Sequence, residues 1–259
     1  TPTTPGTTDT TPTGPVTPST TSVYAVAEVN DGYYFNHDPR AYSVTNHIKS
    51  LSLKVVNEDG TESDVPLDMS KITFSDSVNG SDVPMDTYRE DQVDHTYTIN
   101  VLYEGKPLLD KDGNAISFKV FIGVKGDANL DNKVDAGDAT NVLVYYSALS
   151  TGGDPEKTIL AGESCEAVKA NPELDNLAAF LADVDLDVYS EGNWNTKKSG
   201  RKLLADDATT ILVFYSTMST GETNRYKGWN SSLAGREENM NNSLTAAEVA
   251  KALAQGGKN

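Results

Sequence analysis

The chemistry-bearing residues of this chain are carboxylates set at fixed intervals. From Asp127 to Asp138, oxygen-bearing side chains occupy positions 1, 3, 5, 9 and 12 of a twelve-residue loop: Asp127, Asn129, Asp131, Asp135 and Asp138. The main-chain carbonyl of Lys133 is available at position 7. Ca²⁺ is a hard ion that takes six to eight oxygens, and this spacing wraps them around one centre. Asn132 stands where a turn glycine is usual, a substitution tolerated because Asn enters the left-handed region more readily than most residues. Asp138 is shorter than the Glu usual at the last position but still a carboxylate. Val134, apolar at position 8, fits a short β-bridge between paired loops.

A second loop opens the same way with Asp183, Asp185 and Asp187. Its last ligand by alignment is Asp207, which makes it 25 residues long, with 13 inserted around Tyr189–Lys202. Leu204 then falls at position 9 and offers no side-chain ligand. Loop closure cost grows only logarithmically with length, so the excursion is compatible with a site. The two loops predict two Ca²⁺ ions.

Each loop runs into the same helix. Asp138–Gly152 and Asp207–Gly221 are identical at ten of fifteen positions, and the differences include Val/Ile, Tyr/Phe and Leu/Met. Such self-similarity marks an internal repeat. Helical spacing puts Ala139, Val142, Leu143, Tyr146 and Leu149 on one apolar stripe, with Ala208, Ile211, Leu212, Tyr215 and Met218 at equivalent places. These stripes are expected to form the core. Val144, Tyr145 and Ala148 in the first helix, and Val213 and Phe214 in the second, lie off the stripe. With Thr140, Asn141, Thr209 and Thr210 they form the candidate partner-binding face, since anchors within a polar rim are how interfaces obtain affinity. The competing expectation is that inserted segments or the C-terminal tail cover these residues.

The elements around the repeat differ in kind. Residues 1–22 hold 11 Thr and 5 Pro and read as an extended linker between modules, with an ordered domain expected before it. Residues 23–125 predict about five to seven short strands. They are seen in Ser22–Glu28, Ser50–Val56, Lys71–Phe74, His95–Tyr103 and Ala115–Val124, with turns at Asn30-Asp31-Gly32, Glu58-Asp59-Gly60, Asn79-Gly80 and Asp112-Gly113. That pattern suggests a small all-β sandwich of immunoglobulin-like character. Residues 126–221 predict an all-α region interrupted by insertions near 153–172 and 189–202. Residues 222–259 form a C-terminal extension whose end, Thr245-Ala-Ala-Glu248 to Gly256, carries helix start and stop signals. Because Ala115–Lys125 reads as strand, each calcium unit is expected to be a loop plus an exiting helix, without an entering one. Lys125-Gly126 leaves almost no linker, so the β-module and the helical region must touch.

Composition narrows the function. The chain has 259 residues, 38 acidic against 21 basic, and a formal charge of −17. A basic face for nucleic acid or anionic lipid is lacking, so neither partner is expected. Residues 126–221 carry 16 acidic against 7 basic side chains, and eight of the acidic ones are loop aspartates. One cysteine, Cys165, excludes an internal disulfide framework. The three histidines, His37, His47 and His95, sit in the β-module without a metalloprotease motif, and there is no nucleophile elbow or phosphate loop. No catalytic residue is assigned, and the expectation is not an enzyme. Tyr33-Tyr34-Phe35 offers a possible sugar-stacking platform, against which stands a role in core or inter-module packing.

Tandem loop–helix units with Asp at the last position, following a β-rich module and a Thr/Pro linker, resemble the dockerin family of cellulosomes. The composite resembles the X-module–dockerin pairs at the C-termini of ruminococcal cellulosomal proteins. The resemblance covers 126–221 through the first loop and the duplicated helix, with residues 23–125 as the X-module. It implies a protein that is monomeric until it binds the cohesin module of a cell-wall-anchored scaffoldin. It also implies tethering of a cellulose-binding parent to the bacterial surface, with the X-module stabilising the dockerin. The location implied is extracellular, with any signal peptide outside this sequence. Because only the second loop is enlarged, one preferred orientation on the cohesin is expected.

Overall fold

A computed structural model describes residues 22–35, 47–75, 96–185 and 198–232. The Thr/Pro segment through residue 21, Asp187, His37, His95, Asn79-Gly80, Trp194 and the expected terminal helix lie outside these residues. What is described is a set of N-terminal β-sheets followed by a helical region of five helices.

Eight strands form two sheets: β1 (Val23–Val29), β2 (Gly32–Phe35), β3 (Ile48–Val56), β4 (Glu62–Val65), β5 (Ile72–Ser75), β6 (Thr96–Tyr103), β7 (Lys106–Pro107) and β8 (Ser117–Gly123). One sheet has the order β1-β3-β4 and the other β2-β8-β6-β5, with β7 on β6. All pairings are antiparallel except β2 with β8. The five strands expected from the sequence are present, shifted by a residue or two at their ends. The strands β2, β4 and β7 were not anticipated. β4 is polar (Glu62-Ser-Asp-Val65) and sits at a sheet edge, where charge blunts unwanted pairing and erases the hydrophobic alternation. One core serves both sheets, with Ala25 and Leu53 from the first and Phe74, Ile99, Val101, Phe118, Val120 and Ile122 from the second.

β8 is the element on which the molecule turns. Its alternation sends Phe118, Val120 and Ile122 into the β-core, while Phe121, from the opposite face, belongs to the core of the helical region. A strand buried on both faces loses its polar alternation, and Val120–Gly123 is an unbroken buried run.

The helices are α1 (Ala136–Ser150), α2 (Glu166–Ala170), α3 (Leu174–Ala182), α4 (Ala205–Ser219) and α5 (Arg225–Ser232). The repeat helices α1 and α4 pack on each other. α3 is buried on nearly every side, with Leu177, Ala178, Ala179, Leu181 and Ala182 at zero exposure, as befits a helix that is apolar all round. It lies against β8 and β2: Tyr33 stacks on Phe121 at 5.0 Å and meets Phe180 at 6.2 Å. Packing at Gly123 is close: a Cβ would stand 2.5 Å from Leu181 Cδ1, so a larger residue there would make the Leu181 side chain shift. The β-module and the helical region touch through α3, which lies between the two repeats.

Three expectations need correction. α3 ends directly at Asp183, so the second unit has an entering helix and only the first is loop plus exiting helix. Val134 and Leu203, at position 8 of the two loops, form no β-bridge; Val134 packs on the helical core and Leu203 belongs to it. The third concerns the helix stripes. α1 buries Asp138, Ala139, Val142 and Tyr145, and α4 buries Asp207, Ala208, Thr210, Ile211 and Phe214. Leu143, Tyr146, Leu212 and Tyr215, expected in the core, are exposed instead. Helical spacing places Tyr146 and Tyr215 on the stripe, but the residues buried in each helix lie on a face rotated toward Tyr145 and Phe214.

Candidate metal centre and partner face

The first loop is organised by its own backbone amides. Asp127 carries its carboxylate at zero exposure; Oδ1 accepts from Asp131 N at 3.1 Å and Oδ2 from Asn132 N at 2.8 Å. Asp138, also at zero exposure, accepts from Ala128 N and Asn129 N through Oδ1, and from Asp135 N through Oδ2. Asn129 Oδ1 accepts from Asp131 N, and Asp131 Oδ1 from Lys133 N. Asp135 caps α1 by accepting from Gly137 N at 2.6 Å. These short-range bonds curl the loop. Asn132 takes φ of 65°, the left-handed conformation its identity permits, and Leu130 takes 61° with its side chain buried.

Such a loop gathers four aspartates around one lysine, Lys133. Burial, then repulsion from Asp138, pushes Asp127 up to about 8 despite the amides that favour its charged form. Burial likewise pushes Asp138 up to about 6. A divalent ion would reverse this, since it becomes the largest local charge.

The second loop brings carboxylates closer together. Asp183 (1 % exposed), Asp185 (7 %) and Asp207 (2 %) each offer an oxygen, and these oxygens lie within 4.8 Å of one another. Among the described residues this is the one group of three or more acidic, His or Cys side chains so arranged. It could hold a metal ion. Asp183 is the C-cap residue of α3, and Asp207 lies in the first turn of α4. Asp207 accepts from Leu204 N at 2.9 Å and from Val184 N at 3.2 Å, so it also ties the two ends of the loop. Burial pushes it up to about 7, with repulsion from Asp185 and Asp206 adding to the rise. The donor set is all oxygen, the chemistry of a hard cation, and three clustered carboxylates fit Ca²⁺. Thus the loop that is irregular in sequence has the tighter carboxylate cluster. The first loop, regular in sequence, turns Asp131 and Asp135 toward its own amides.

The candidate partner face divides. Val144 and Val213 are exposed at 63 % and 42 %. Thr140 and Thr209 are exposed too, with hydroxyls donating to Ala136 O and Ala205 O. Ala148 is half-buried, and Asn141 donates to Ala161 O in the inserted segment. Thr210 is buried and donates to Asp206 O. Tyr145 and Phe214 are covered from within, as the competing expectation had it. Arg201, from the second insertion, lies over the Tyr145 ring. Trp229, from the C-terminal extension, stacks on Phe214 at 3.9 Å and 9°. Trp229 also closes on Gly126, where a Cβ would approach Cη2 to 2.8 Å. In place of the two aromatics, Leu143, Val144 and Tyr146 on α1 and Leu212, Val213 and Tyr215 on α4 form two equivalent exposed apolar triplets. Only Val144 and Val213, matched in the repeat and off the inward stripe, are signalled by the sequence; spacing assigns the other four to the core.

Comparison with protein-family models finds no match, and no curated protein matches the chain.

Proposed function

We propose that the chain is a non-catalytic, calcium-dependent protein–protein interaction module of the dockerin kind, with residues 23–125 as a supporting immunoglobulin-like X-module. Two Ca²⁺ ions would be held, one by Asp127, Asn129, Asp131, the Lys133 carbonyl, Asp135 and Asp138, and one by Asp183, Asp185, Asp187 and Asp207. Calcium supplies the positive charge that lets the buried carboxylates ionise and fixes the N-terminal ends of α1 and α4. The helices then present their outer faces to a cohesin of a cell-wall-anchored scaffoldin, tethering a cellulose-binding parent to the bacterial surface. The chain acts as a monomer until that complex forms.

The observation that carries this reading is the repeat of one exposed apolar triplet on both helices that follow the acidic loops. A metal site that served folding alone needs no second apolar face. A carbohydrate platform at Tyr33 is disfavoured, because that ring is 6 % exposed between Phe121 and Phe180. The test is cohesin binding by the full chain with calcium and with chelator. Binding that survives chelation, or retention on insoluble cellulose by residues 23–125, would overturn the reading. With one preferred orientation, Val144→Asp and Val213→Asp reduce affinity unequally, the larger loss being about 2 kcal/mol. Equal losses, each masked until the two are combined, would mean two orientations.

A further inference from the structure

The second loop poses a mechanical problem: its first and last ligands are 24 residues apart, yet their oxygens meet within 4.8 Å. The described residues contain a device suited to solving it. Asp175, on α3 eight residues before Asp183, is 1 % exposed and accepts from Arg201 Nη1 at 2.8 Å and Lys198 Nζ at 3.1 Å on one oxygen. Its other oxygen accepts from Leu160 N at 2.8 Å in the first insertion. Arg201 uses its second terminal nitrogen on Asn176 Oδ1 at 2.7 Å, and Lys198 also donates to Thr158 O at 3.2 Å. Lys198 and Arg201 belong to the returning limb of the excursion, nine and six residues before Asp207. The limb that delivers Asp207 is therefore fastened to the helix that ends in Asp183.

We propose that Asp175, Arg201 and Lys198 are positioning residues for the second calcium site, a buried clasp that lets an enlarged loop hold its ion as a short loop would. The proposal rests on the reading of Asp183, Asp185 and Asp207 as calcium ligands. A buried ion pair gives little net stability relative to apolar residues of the same shape, so stability alone is a weak reason for one here. Its geometric effect is specific: a planar guanidinium forked across two neighbouring side chains of α3 fixes both the distance and the direction of the returning limb.

Coulombic and positioning roles predict opposite signs. Removing a positive side chain from the limb that carries Asp207 would by charge alone tighten binding of a cation. Removing a clasp weakens it, and supporting contacts of metal ligands typically contribute about 10- to 100-fold in affinity.

The experiment is calorimetric titration of the full chain with CaCl₂, using Asp183→Asn to assign the second site. Arg201→Met is expected to raise the second-site dissociation constant by about 10- to 100-fold while leaving the first site unchanged, with Arg201→Lys recovering part of the loss. Asp175→Asn combined with Arg201→Gln, which removes both charges of the buried pair and leaves only the partly exposed Lys198 without its carboxylate, is expected to behave like Arg201→Met and covers the case in which that variant does not fold. Unchanged or tighter second-site binding in a folded variant, or equal weakening at both sites, would overturn the clasp. If the unaltered chain binds only an ion that Asp183→Asn leaves in place, the calcium reading of this loop fails and the clasp fails with it. That result is distinct from two sites that the Arg201 variants do not separate.

Discussion

Asp207 receives Leu204 N and Val184 N while facing Asp183 and Asp185, so one side chain serves as helix cap, loop tie and candidate ligand. Asp207→Asn removes the charge and can keep the Leu204 bond that caps α4, but not the Val184 bond as well. The expected outcome is loss of one calcium equivalent in calorimetry, with α4 retained by circular dichroism at saturating calcium. His47 gives a pH-dependent counterpart in the β-module. It is 3 % exposed, stacks on Phe118 at 5.0 Å and bonds Asn30 O through Nδ1 at 2.8 Å. Burial lowers its pKa, outweighing the Asn30 carbonyl and Asp31, which favour the charged form. A folded pKa below the unfolded value of about 6.5 means that the unfolded chain binds more protons in between. The contribution of His47 is thus fully present above that value and is lost as pH falls from it through the folded pKa. At saturating calcium, where the loop carboxylates would be held ionised, denaturant midpoints measured across this range should fall with acidification in the parent. They should fall less steeply in His47→Gln, which keeps a donor for Asn30 but does not titrate.

Among the elements, β8 and α5 decide how the helical region is covered. Trp229 on α5 is 4 % exposed, stacked on Phe214, with the Lys125 ammonium 5.6 Å from its ring centre. Trp229→Ala removes a large buried ring from a site closed by Gly126 and Phe214, a change of the kind that costs about 3–5 kcal/mol. Urea unfolding should show that loss, and a variant within 1 kcal/mol of the parent would mean that α5 is not a structural cover. The elements differ in how legible they were. α1 and α4 were plain because ten of fifteen positions recur, with the same apolar spacing. β4 and β2 were not, since short edge strands carry polar side chains or too few residues to alternate. α3 is less legible although Leu174, Leu177, Ala178 and Leu181 keep helical spacing, because it lies within a stretch that the repeat leaves unmatched.

Across the whole molecule, the core of the helical region continues through α3 to Phe121 and Tyr33 of the β-sheet. Deleting residues 22–125 would expose that face of α3, so residues 126–259 alone should retain calcium binding but melt at a lower temperature than the full chain. Equal melting temperatures would remove the supporting role proposed for the β-module.

Types, spacing and repetition in the sequence were sufficient for two acidic loops, two like helices and a β-rich first half, because loop composition and helix periodicity are local properties. Tertiary structure decided which aromatic of each helix turned inward, that Asp175 and Arg201 meet 26 residues apart, and that the longer loop gathers its carboxylates more closely. Those outcomes depend on what the inserted segments and the C-terminal extension bring against each helix, and contacts between distant segments leave no periodic trace in the chain.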